Sequence, residues 1–125
     1  MRVKNEDLLS LSGPVDLTSS ASLRAVWLGH IVNYSIQLVF TGTPGGNFKL
    51  QCSNDPGRID SEAISNQASD VSNWTDVADS ALVVSAAGNV VWDVQNVGYN
   101  WVRVVWTATS GSGSLTSARC YVKGV

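Results

Sequence analysis

A chain of 125 residues with 44% hydrophobic but only 14% charged residues has room for a single domain with a real core, and its charge lies well under the roughly one quarter usual in soluble domains. A net charge of −2 with no basic run argues against nucleic-acid binding, and no apolar run approaches the roughly 20 residues that cross a bilayer as a helix. Two glutamates and three lysines against 18 valines, 17 serines, 11 glycines and five tryptophans exclude an all-α fold, because surface helices lack their usual residues while valine and tryptophan favour strands.

Residues 1–13 open with charge (Met1-Arg2-Val3-Lys4-Asn5-Glu6-Asp7) and do not read as a signal peptide. Synthesis and folding in a cytoplasm are therefore expected, with Cys52 and Cys120 reduced. This segment is set apart as an N-terminal arm whose Leu8, Leu9 and Leu11 either fray or pack on a neighbouring subunit. The single domain, 14–125, starts with a weak strand at 14–18 and a second at 23–28. A strong strand at 34–41 puts Tyr34, Ile36, Leu38 and Phe40 on one face, and another at 47–53 points Phe48, Leu50 and Cys52 inward. A polar excursion follows, with a loop insertion at about 56–72 and one helical turn expected near 60–67. Further strands are expected at 74–77, 81–85, 89–94, 100–107 and 115–123. About eight short strands separated by Gly, Ser, Asn and Pro predict an all-β antiparallel β-sandwich, a jelly roll or a related Greek key.

Phe40-Thr41-Gly42-Thr43-Pro44-Gly45 echoes Trp106-Thr107-Ala108-Thr109-Ser110-Gly111 at an offset of 66 positions. Either two similar hairpins were chosen by local turn chemistry, or the halves of a double Greek key are related and the two turns share one end of the sandwich.

Catalysis finds little support. His30 is the one histidine and there is no G-x-S-x-G elbow, so a Ser-His-Asp set lacks its parts. The acids fall mostly in loops and strand ends, and a domain this small rarely builds a glycosidase cleft. The chain is expected to be no enzyme, with no cofactor and no metal. Two cysteines and one histidine do not complete a zinc site. Asn54-Asp55-Pro56-Gly57 with Asp60 could offer oxygens to calcium but has the composition of an ordinary turn. The cysteine pair lacks the tryptophan and tyrosine of an immunoglobulin disulfide, so both read as buried free thiols.

Among the tryptophans, Trp106 falls in register with Val102 and Val104 and reads as core, while Trp101, Arg103, Val105 and Thr107 form the opposite face. Trp27, Trp74 and Trp92 stay unassigned. An exposed aromatic can stack on sugar rings, so Trp74 and Asp76 are the candidate glycan contacts of an alternative reading, a carbohydrate-binding domain of a phage tail or a modular enzyme. Aromatics in strands are more often core or interface.

The ordered motifs carry a resemblance. Val15-Asp16-Leu17 and Asn33-Tyr34-Ser35-Ile36-Gln37 lead to Phe40-Thr41-Gly42-Thr43-Pro44-Gly45-Gly46 and Phe48-Lys49-Leu50-Gln51-Cys52-Ser53-Asn54-Asp55. Asn73-Trp74-Thr75-Asp76, Tyr99 with Val102-Arg103-Val104-Val105, and Thr107-Ala108-Thr109-Ser110-Gly111-Ser112-Gly113 follow. This order, over about residues 14–123, resembles a group of small tailed-bacteriophage virion structural proteins. That pattern passes quickly from Ser-Asn-Asp to Asn-Trp-Thr, whereas here residues 56–72 intervene. The resemblance brings no catalytic residue. It implies a virion structural protein made in the host bacterial cytoplasm: a capsid decoration (cement) protein, a head-fibre base or a tail component. It also implies a homo-oligomer, with a trimer favoured by the threefold symmetry of capsid decoration sites. The expected partners are then further copies of the chain and phage capsid or tail proteins, with no nucleic acid and no membrane. Candidate assembly contacts are Leu8, Leu9, Leu11, Thr43, Pro44, Gly45, Arg58, Ile59 and Ile64.

Overall fold

The computed structural model describes residues 3–9, 14–29, 31–55 and 71–124, with side chains from residue 7 onward. Leu11, His30, Arg58, Ile59, Ile64 and the helical turn expected over 60–67 lie outside the described residues. The described chain is all-β, with nine strands: β1 (Val3–Asp7), β2 (Val15–Asp16), β3 (Ala21–Ser22), β4 (Val26–Trp27), β5 (Ile31–Ser53), β6 (Thr75–Asp76), β7 (Leu82–Val84), β8 (Gly88–Val94) and β9 (Trp101–Gly124).

Two long strands organise everything. β5 and β9 pair antiparallel from Ile31 opposite Gly124 to Ser53 opposite Trp101. At one end of this ribbon, β8 pairs with β5 (Tyr34 with Val94 to Phe40 with Gly88) and β1 pairs with β9 (Val3 with Lys123 to Asp7 with Arg119), giving the first layer. At the other end, β3 and β4 pair with β9 while β6 and β7 pair with β5, giving the second. β2 pairs with Ser114 and Leu115 beside the junction.

The ribbon folds over between its ends. Phe40 and Phe48 would lie roughly 26 Å apart along an extended strand, yet their ring centroids are 5.4 Å apart. The strands at 34–41 and 47–53 expected from the sequence are thus one strand with a bend, and those at 100–107 and 115–123 are another. The Gly-Pro segments read as turns bend the chain without reversing it. Register shifts between Val39 and Phe40 and between Gly45 and Gly46 bracket the bend, as β-bulges do where a sheet turns a corner. Inside it, Gly42 (φ 83°) pairs with Gly113 and Gly111 (φ 75°) pairs with Pro44, on either side of the Thr43–Ser112 pair. The two echoing segments therefore meet at the bend, where Pro44 and Gly45 pair with Gly111 and Ser110. Pro44, which has no N–H to give a ladder, is tolerated at such an irregularity.

Folding over places the inward side chains of both layers in one core: Tyr34, Ile36, Leu38 and Phe40 from the first, and Phe48, Leu50, Val102, Val104 and Trp106 from the second. Leu115, Ala118, Cys120 and Val122 complete the β9 side. Phe48 sits 4.5 Å from Trp106, centroid to centroid. The indole N–H groups of Trp106 and Trp92 donate to the Leu17 and Ser80 carbonyls (3.0 and 2.8 Å), satisfying polar atoms that burial would otherwise make costly.

The segment set apart as an arm contributes β1 to the sheet. Leu8 is 1% exposed, its N–H donating to the Ala118 carbonyl at 2.8 Å. As an assembly contact Leu8 is therefore corrected: its side chain is used in the chain's own core, because β1 carries the backbone along the β9 edge and leaves Leu8 above the apolar layer. Leu9 is half-buried and packs against the same core.

Candidate functional site

The sandwich leaves two outer faces, and each carries an aromatic among polar groups. On the second layer the cross-strand register aligns Asp76, Gln51 and Arg103 in one row. Gln51 Oε1 accepts from Arg103 Nε at 2.9 Å and from Nη2 at 2.7 Å. Gln51 Nε2 donates to Asp76 Oδ1 at 3.0 Å, and Lys49 Nζ meets Asp76 Oδ2 at 3.1 Å. The Arg103 guanidinium lies 4.3 Å from the centre of the Trp74 ring, a cation–π contact. Hydrogen bonds from Gln51 first and Lys49 second hold the Asp76 carboxyl below its ordinary value. The two candidate glycan contacts, Trp74 and Asp76, are thus brought together, but the network engages both carboxylate oxygens of Asp76 and lays the guanidinium over Trp74. Trp101, one row further on, is fully buried outside the main core cluster, and its indole nitrogen finds no hydrogen-bond partner among the described residues.

On the first layer the register aligns Asp93, Ser35 and Tyr121. Around them lies a depression of about 370 Å³, also lined by Asn33, Gln95 and Lys123. Tyr121 is 39% exposed, with the Lys123 ammonium 5.7 Å from its ring centre. The rim is pinned: Asn96, at φ 58°, donates its N–H to Asn33 Oδ1 (3.2 Å), and the Val97 N–H donates to the Val32 carbonyl (2.9 Å). No sequence motif joins Asn33 and Ser35 to Asp93 and Tyr121, which only the strand register brings together. The signal for this group was the alternation that sends Asn33, Ser35, Asp93 and Tyr121 to the face opposite the core.

Of the remaining assembly candidates, Thr43 is exposed at the bend, Gly45 is half-buried and Pro44 is buried. Of the loop residues, Asn54 accepts from Asn100 and Asp55 bonds to residues 72 and 73. Asp55 Oδ2 accepts the backbone N–H groups of Ser72 and Asn73, each at 2.9 Å, and Asn73 Nδ2 reaches both carboxylate oxygens. These bonds, the Ser72 N–H first, hold the Asp55 carboxyl below its ordinary value. Neither Cys52 nor Cys120 forms a disulfide among the described residues; Cys120 is buried, whereas Cys52, expected buried, is half-buried, and desolvation pushes its thiol up. Burial and then the hydrogen bond with the Tyr99 hydroxyl (2.6 Å) do the same to Tyr34. Among the described residues no group of three or more His, Cys, Asp or Glu side chains could hold a metal ion.

No protein-family model matches the chain, and no curated protein sequence does. Among solved structures, the SPBc2 prophage-derived protein YomS is similar at 12% identity and a TM-score of 0.53, over 97% of this chain and 92% of that one. This likeness shows a shared fold. A Bacillus endospore appendage, from a family of disulfide-linked pili, is similar at 12% identity and a TM-score of 0.44, over 98% of this chain and 89% of that one. That second likeness is too loose to bear on fold or function.

Proposed function

We propose that the chain is a non-enzymatic structural subunit of a bacteriophage particle, a capsid decoration protein that self-associates, as a trimer, and binds the particle surface. The observation that carries this reading is the sandwich's charge-poor exterior, on a fold shared with a prophage-derived protein. Hydroxyl, amide and small apolar side chains dominate it, and Lys49–Asp76 is the one ion pair among the described residues. Such a surface suits flat, hydrogen-bonded contact, and the edges β1 and β8 of the first layer would be covered by neighbours. Leu9, Thr43 and Gly45 are contacts it can still offer.

Light scattering of the purified protein and co-sedimentation with phage capsids test the reading. Association should occur and should weaken little between low and high salt, because few of its contacts would be ionic. A strict monomer with no affinity for capsids overturns it, and a steep salt dependence contradicts the neutral interface. The carbohydrate-binding alternative at Trp74 and Asp76 is disfavoured by the Arg103–Gln51–Asp76–Lys49 network, which engages the groups a sugar would need. A glycan array in which binding disappears with Trp74→Ala would restore it.

A further inference from the structure

The two outer faces differ in one respect that bears on ligands. The polar side chains of the second layer form one network, whereas several of those on the first layer form none. No hydrogen bond joins the side chains of Ser35, Asp93, Gln95 or Tyr121 to any described residue, although they converge on one depression. We propose that this depression is a binding site for a neutral pyranose saccharide. It goes beyond the decoration reading and does not depend on it.

The chemistry follows from the lining. A pyranose ring has one flat C–H face and a girdle of hydroxyls that both donate and accept. The exposed phenol of Tyr121 offers the flat face a partner of matching character, apolar across the ring and polar at its edge. Asp93 lies in the same cross-strand row with Ser35 between them, roughly 10 Å away at the usual strand spacing. It is placed to accept from hydroxyls, and hydrogen bonds to a carboxylate are the stronger kind. Asn33 uses its carbonyl on the Asn96 N–H, which leaves its amide hydrogens for an acceptor, and Gln95 supplies both functions. A depression of about 370 Å³ falls in the range of small-molecule sites.

The site is also built before any ligand arrives. Tyr121 and Ser35 stand on the two central strands of the layer, and Asn33 and Asn96 are pinned to each other. Little further ordering entropy is then lost on binding. The Lys123 ammonium lines the same depression as Asp93, so the site carries no net charge: it offers a neutral sugar an acceptor and a donor and gives an acidic one no net attraction.

Ligand-observed NMR with N,N′-diacetylchitobiose, maltotriose and digalacturonate tests the proposal. At least one of the two neutral saccharides should bind saturably, with amide shifts at Ser35, Asp93 and Tyr121, and the acidic one should not. Asp93→Asn and Tyr121→Leu should each weaken binding about tenfold, while Trp74→Ala should leave it unchanged. Asp93 stands at an exposed edge, so its variant reports on the site even if Tyr121→Leu unfolds. Binding of neither neutral saccharide, binding of digalacturonate alone, or an affinity left unchanged by Asp93→Asn overturns the proposal. Because capsid affinity and oligomeric state are read separately, failure here leaves the decoration reading standing, and failure there leaves this one.

Discussion

Two buried indoles show how much one hydrogen bond decides. Trp106 donates to the Leu17 carbonyl at 3.0 Å, whereas the buried Trp101 indole nitrogen has no partner among the described residues. Replacing either by Phe removes similar ring area, but Trp106→Phe strands a carbonyl while Trp101→Phe relieves an orphan. Chemical denaturation should therefore find Trp106→Phe the more destabilising by about 1 kcal/mol. Asp55 gives a pH prediction. Its carboxyl is held below the ordinary value of 3.8, so its contribution is complete above that value and fades as pH falls through the lowered one. The protection of the Ser72 and Asn73 amides against hydrogen exchange, relative to the intrinsic rate at each pH, should fall as acid is added through that range. Asp55→Asn should speed the same exchange at neutral pH and remove the acid step.

At the scale of elements, alternation was enough to place the strand interiors. Tyr34, Ile36, Leu38, Phe40, Phe48 and Leu50 are buried as their period-2 spacing requires, and Trp106 is in the core while Arg103 is on the opposite face. What alternation could not supply was continuity across the bend. Gly42-Thr43-Pro44-Gly45 has the composition of a reversal. It bends without reversing because its partner is the 110–113 segment, distant in sequence, and no local signal reports a distant partner. The expected strand at 23–28 is also cut down to β4, Val26–Trp27, with β3 lying just before its expected start. Leu23, Val26 and Leu28 all face the core, and the three-residue step from Leu23 to Val26 breaks the strand period. The bend itself is testable. Gly111 has φ 75°, and a Cβ there would run into the Thr43 carbonyl oxygen. Gly111→Ala should cost about 1–3 kcal/mol, measured by urea denaturation, whereas Gly88→Ala, where a Cβ meets nothing, should cost far less.

For the molecule as a whole, the fold class was legible from composition and periodicity, but the candidate sites were less so. The aromatics of the sequence drew attention to Trp74 and Asp76, which the fold joins into a closed network. The open group at Tyr121 is assembled from three strands and becomes visible only once their register is known. The β5–β9 ribbon has a mechanical consequence. In a sandwich strung from separate strands, the layers are coupled through side-chain packing and can slide over one another. Here both central strands pass uncut from one layer to the other, with ladder pairing maintained through the corner. A load applied to either face is carried to the other along covalent backbone. Shear between the layers must bend two peptide chains at Gly42 and Gly111 before it can displace the core, which makes the sandwich a stiff bracket.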